Sequence, residues 1–196
     1  RLHDDALPEV VDIVIRGNEI AGSGEDGVQV IDYFQDTLRR ITIERNLIRD
    51  SRMAAIGLMD DAESREDFRA ASVRERILVL HNTFVRNDHG ISGGDNLIAL
   101  NNVFVGHALA LKDVDGDSVV SHVLFWENGA DATGSVVREA IVADPLLDAA
   151  FRPQAGSPAI DAGVARFEWR GEVVMDQPSS AYAGAAPDLG FHEAGA

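Results

Sequence analysis

The segment DVDGDS at 113–118 sets Asp113, Asp115 and Asp117 at alternate positions around Gly116. Alternating carboxylates in a turn are what a hard, oxygen-seeking cation such as Ca²⁺ needs. The match covers only the opening of a calcium loop, because the twelfth position counted from Asp113 is Leu124, where a closing glutamate would stand. A solvated turn between strands accounts for the same residues somewhat better. Directly before it is Lys112, the lone lysine among 17 basic residues, whose amine could act as a general base. Arg86 and His89, in VRNDHG (85–90), would add positive charge and a proton-transferring imidazole. For all three the plainer reading leads: an exposed lysine is surface charge, and Asn-Asp-His-Gly is what a bend between strands requires.

The elements that would position these groups come from an internal repeat. IVIRGNEI (13–20), ITIERNLI (41–48), LVLHNTF (78–84) and IALNNVF (98–104) each run a short strand into an asparagine, with an apolar residue two places on. Asn18, Asn46, Asn82 and Asn102 are the repeated asparagines, and His122 in VVSHVLF falls at the next step, where it would fill the same ladder. A second strand follows each: GVQVID (27–32), AIGLMD (55–60), GISGGD (90–95) and ALALKD (108–113). Two strands per unit of about 20 residues leave no room for a βαβ crossover, so the units must wind in one direction as a coil. The charged stretch 61–75 reads as an insertion bulging from one corner.

Side-chain alternation supports the coil. Ile20, Ile48, Phe84, Phe104 and Leu124 should point inward and stack, as should Val28, Ile56, Ile91 and Leu109. Equivalent positions stand about 4.8 Å apart, so the asparagines form a ladder whose amides satisfy turn backbone groups. Asp32, Asp60, Asp95 and Asp113 end equivalent strands and should form a column, either turned onto their own bends or held by a cation. Outward positions become apolar along the chain, at Leu78/Leu80, Ile98/Leu100 and Ser118/Val120. Such a patch requires a cover: the insertion with Phe68, the excursion 164–186 with Trp169 and Tyr182, or a partner chain. The excursion is the favoured cover.

The 196 residues carry 17 basic and 33 acidic side chains, a formal net charge of −16, and no cysteine. That balance disfavours a general nucleic-acid binder, which needs a basic surface, and makes a bound cation reasonable. Disulfide scaffolds and thiolate metal sites are excluded. No apolar window is long enough to span a membrane. Because the chain opens at Arg1 with no signal peptide, it is expected to be the carboxyl-terminal part of a longer polypeptide, with an open amino-terminal end that recruits upstream sequence or associates.

On the repeated Ile-x-Ile-x-x-Asn-x-Ile/Phe, and more specifically on LFWENGAD (124–131), ADPLL (143–147), FRPQAGSPAIDAG (151–163) and PDLGFHE (187–193), the chain resembles the secreted right-handed parallel β-helix proteins, similar to pectate lyases and other polysaccharide lyases. The resemblance implies an all-β, right-handed parallel β-helix of about five coils over 1–140, and a closing coil and non-repetitive cap over 141–196. It also implies an extracellular protein with a polysaccharide partner. A lyase of this kind needs a base and positive charge beside a uronic sugar, which points to Lys112 as the catalytic residue and to Arg86 and His89 as substrate-binding residues, with Ca²⁺ at Asp113, Asp115 and Asp117. A glycoside hydrolase using Asp26, Asp32 and Asp60 ranks below it, since the paired aspartates such enzymes use are absent. A non-catalytic structural or adhesive module stands nearly equal to the lyase.

Overall fold

The structure is a computed structural model that describes residues 11–30, 39–58, 76–94 and 96–195. Each coil contributes three short strands. The first coil is β1 (Val11–Arg16), β2 (Glu19–Ala21) and β3 (Val28–Val30); the second is β4 (Arg39–Glu44), β5 (Leu47–Arg49) and β6 (Ala54–Leu58). The third is β7 (Ile77–Leu80), β8 (Thr83–Val85) and β9 (His89–Ser92); the fourth is β10 (Leu97–Leu100), β11 (Val103–Val105) and β12 (Leu109–Lys112). The fifth is β13 (Val119–Ser121), β14 (Val123–Trp126) and β15 (Ala130–Thr133), and β16 (Ala140–Val142) adds part of a sixth. Every third strand pairs in parallel through the five coils, and β16 then pairs with β14, giving a first sheet β1-β4-β7-β10-β13, a second β2-β5-β8-β11-β14-β16 and a third β3-β6-β9-β12-β15. This is a parallel β-helix solenoid.

Three strands per coil, where the repeat suggests two, follow from the residue before each asparagine and, in the fifth coil, before Val123. Gly17, Arg45, His81, Asn101 and His122 all adopt positive φ, between 49° and 69°. A left-handed residue bends the chain sharply, so each strand that the pattern runs through the asparagine is broken into two sheets there. The same alignment corrects three registers. Val103 pairs with Leu124, which sets Val123 beside Asn102 and moves His122 out of the asparagine ladder into the bend column. Phe104 pairs with Phe125, so Phe125 and not Leu124 continues the inner stack. Ile91 pairs with Leu111, so Leu111 and not Leu109 is the inward residue of the fourth coil.

The core is therefore a set of columns. Phe84, Phe104 and Phe125 stack with ring centroids 5.1 and 5.3 Å apart. Ile48 completes that column and Ile56, Ile91 and Leu111 another, all fully buried. Each such side chain is worth about 1.5–3 kcal/mol of transfer free energy, and the spacing of the sheet delivers them to one another without any long-range coincidence.

Past β16 the chain leaves the repeat. An antiparallel hairpin, β17 (Arg166–Trp169) and β18 (Glu172–Asp176), lies on the outer face of the first sheet. There Phe167, Trp169, Val174 and Met175 cover Leu78, Leu80, Ile98, Leu100 and Val119. The apolar patch is thus covered from within by the 164–186 excursion. In the fifth coil its outward residues are Val119 and Ser121, because Val119 pairs with Ile98; Val120 faces the core. Ala159 and Leu189 pack on Val103 and Leu124 over the second sheet. The tail differs in placement from the closing coil that its motif implies: β16 and a bridge from Val137 to Val120 add a partial rung, and the remainder runs back along the flank. Phe191 N–H reaches Thr83 Oγ1 at 2.9 Å and Glu193 lies 3.7 Å from Arg45.

The insertion 61–75, with Phe68, lies outside the described residues, as do Asp32, Asp60 and Asp95. Asp113 stands against Gly93, since Lys112 pairs with Ser92.

Candidate functional site

Most polar groups inside the solenoid are used by the fold itself. Each asparagine of the first ladder receives the backbone N–H and the side-chain N–H of the one before: Asn18 donates to Asn46 Oδ1, Asn46 to Asn82 Oδ1 and Asn82 to Asn102 Oδ1, at 2.8–3.1 Å. A second ladder stands five residues further on in each coil. Ser51 N–H donates to Asn87 Oδ1, Asn87 N–H to His107 Nδ1 and His107 N–H to Asn128 Oδ1. The sequence signal for it was present in Asn87, His107 and Asn128, spaced 20 and 21 residues apart, but a histidine among amides hides the pattern. His107 Nδ1 lies 3.2 Å from Asn87 N–H and 3.1 Å from Asn87 O, and Nε2 can donate to Phe84 O at 3.2 Å, so backbone groups of the third coil hold the ring at both nitrogens. Burial holds its pKa down at about 4.

Several residues singled out above are engaged in structural pairs. Arg86 takes a positive φ of 51° at the second bend and forms a two-point ion pair with Asp50, at 2.9 and 3.0 Å. Asp117 is gripped at both oxygens by Arg170 of the hairpin, at 2.6 and 2.7 Å. The DVDGDS turn is further tied to the fourth coil by Ser118, whose hydroxyl donates to Gly94 O and accepts from Leu97 N–H. Asp115 is exposed and Asp113 half-buried. Among the described residues, no group of three or more His, Asp or Glu side chains is arranged to hold a metal ion.

Lys112 and His89 belong to a different surface. The third sheet sets Gln29 beside Gly57, Gly57 beside Ser92, Ser92 beside Lys112 and Lys112 beside Thr133, one per rung. Apart from Gly57 this outward row is polar, and its strands lie about 4.8 Å apart. Asp26 completes it. Its carboxylate lies across Gly57, where a Cβ would collide with it, and accepts from Ala54 N–H at 2.8 Å and from Gln29 Nε2 at 3.2 Å. Burial raises the Asp26 pKa; the two hydrogen bonds oppose it, and His89 lies near enough to favour the ionised form. His89, at the start of β9, is 3.2 Å from Asp88 through Nδ1. Thus the fold gathers Asp26, His89 and Lys112, from three coils, along one face.

A separate cleft of about 310 Å³ opens between the hairpin and the first sheet, with Arg40, Thr42, Arg76 and Glu172 on its rim and Leu78 and Val174 inside. Its guanidinium groups are already paired, Arg40 with Asp12 and Arg76 with Glu172. The third-sheet face is the better candidate.

Compared with protein-family models, curated proteins and solved structures, the chain matches none.

Proposed function

We propose that this chain is an extracellular carbohydrate-binding β-helix that holds a polysaccharide along the outer face of the third sheet, with lyase chemistry on acidic glycans as its reaction. One observation carries the reading. Among the described residues, the apolar side chains of the tail cover the first and second sheets, whereas the third carries a row of Gln29, Ser92, Lys112 and Thr133 with the Asp26 carboxylate lying across Gly57. Hydrogen-bonding side chains repeated at the strand spacing suit a ligand that is itself a repeating polyol.

In β-elimination a base removes the proton next to a carboxylate whose charge must be neutralised. Lys112 is the base on this face, and Ser92, Gln29 and Asp26 orient the sugar; as the C5 proton leaves, the C4–O glycosidic bond breaks, a C4=C5 double bond forms and the departing oxygen takes a proton from water. A formal charge of −16 repels an acidic polymer. A cation such as Ca²⁺ would bridge ligand and protein, with Asp113, next to Lys112, the nearest carboxylate in sequence. The engagement of Arg86 by Asp50 and of Asp117 by Arg170 favours a second reading, a non-catalytic glycan-binding module.

Incubation with pectin, alginate and glycosaminoglycans, with and without Ca²⁺, separates the two. Unsaturated product detected by ultraviolet absorbance and lost in Lys112→Ala supports the lyase. Retardation of the protein in glycan-containing gels without product supports the binding module. Neither product nor retardation on any polymer removes both.

A further inference from the structure

Three separate points of the tail converge on one buried imidazole at the first bend. His81 Nδ1 lies 3.2 Å from Asp188 O, a carbonyl that can only accept, so the proton sits on Nδ1. Nε2 then presents its lone pair to two amides, Asn101 Nδ2 at 3.1 Å and Gln177 Nε2 at 2.8 Å. Asn101 cannot turn over, because Val164 holds it at both ends: Val164 N–H donates to Oδ1 at 2.9 Å and Nδ2 donates to Val164 O at 2.8 Å. Asp188 accepts from Nδ1 in either protonation state and Val164 reaches the ring only through Asn101; it is the meeting of Nε2 with the fixed Asn101 amide that requires His81 to be neutral.

We propose that His81 is an acid-released clasp: a proton on Nε2 detaches the tail from the first sheet and uncovers the apolar row Leu78, Leu80, Ile98, Leu100 and Val119. Protonation puts an N–H against the fixed N–H of Asn101, and a buried donor facing a donor has no partner. Rotation of the Gln177 amide would offer Oε1, which has no hydrogen-bond partner at present, but leaves the conflict with Asn101 in place. The charged surroundings are mixed. Arg45 on the preceding bend disfavours a second positive charge; Asp188 and Glu193 of the tail oppose it, with Glu193 paired to Arg45 and the Asp188 carboxylate taken by the backbone N–H groups of Asp161 and Ala194. His122 stands beyond Asn101 at the next bend. Burial is the dominant influence and holds His81 at about 4.

Amide hydrogen exchange across 164–186 in the whole chain, corrected for intrinsic rates, tests the clasp. Tail opening should increase about tenfold per pH unit between the free imidazole value and the buried one, while exchange in β7 and β10 stays slow. His81→Asn removes the titrating group and keeps an amide suited to a left-handed bend, as Asn101 does one coil later; its tail opening should be flat over that window. An equal rise in His81→Asn assigns the effect to other groups under the hairpin, His122 against Phe167 or the carboxylates of Asp117, Glu172 or Asp176, and overturns the proposal. Should the variant's tail be open at every pH, NMR titration of the native imidazole decides: protonation must coincide with opening, and a His81 that titrates while the tail stays closed is equally fatal.

Discussion

Two histidines with the same depressed pKa do opposite things in this molecule. His107 is built into the coils: its partners, Asn87, Phe84 and Asn128, all belong to the repeat. His81 faces outward from the coils to the tail, and two of its three partners, Asp188 and Gln177, are tail residues. The physical cause of each shift is the same, loss of water around a charged imidazole. What differs is the piece of structure that must move when the charge arrives. In the first case it is the stack of coils; in the second it is the peripheral clamp.

The largest effect should come from the interior. Asn82→Ala strips partners from Asn46 N–H and from the carbonyls of Ile43 and Leu80, all buried, of which Leu80 O keeps Arg45 N–H. Chemical denaturation should show a loss of about 2 kcal/mol or more, at 1–3 kcal/mol for each unsatisfied group. Acid should act next. Both folded-state values lie below the unfolded 6.5, so the stabilisation is fully present above pH 6.5, declines as pH falls towards 4, and is exhausted below that. Each histidine contributes up to about 3 kcal/mol over that window. Equilibrium unfolding at a series of pH values should give a shallower slope in His107→Asn, with His81, His122 and His192, all lowered by burial, supplying what remains.

At neutral pH the comparison sharpens through that same residue. His107→Asn should cost about 1 kcal/mol less than His107→Ala, because an amide can still accept from Asn87 N–H as Asn128 accepts from His107. Equal melting temperatures for the two variants would mean that the second ladder contributes nothing. The smallest change belongs to the clamp. Arg170→Ala removes a two-point but solvent-exposed pair with Asp117, and should lower stability by no more than about 1 kcal/mol by thermal melting.

The solenoid was legible in the sequence because its signal is local and repeated. An asparagine followed two places on by an apolar residue specifies a bend and an inward side chain at once, and Asn18, Asn46, Asn82 and Asn102 carry it without interruption. The register failed where the pattern changed residue type. Val123 replaces the asparagine in the fifth coil, and the neighbouring His122 looked like its substitute. Arg86 and Asp117 looked available because their partners, Asp50 and Arg170, lie 36 and 53 residues away. The third-sheet face was half legible: Lys112 and Asp26 could be named, but which strands lie over which could not be read from either.

By itself the amino-acid order determined the winding. Short apolar strands, bends that need left-handed residues and amides at a fixed offset admit a stack of parallel coils, since each preference is satisfied within a rung or by the adjacent one. Only the tertiary structure decided which faces stay open, because the tail carries no repeat and its contacts reach back across much of the chain. Among the described residues, its apolar side chains settle on the first and second sheets and not on the polar row of the third.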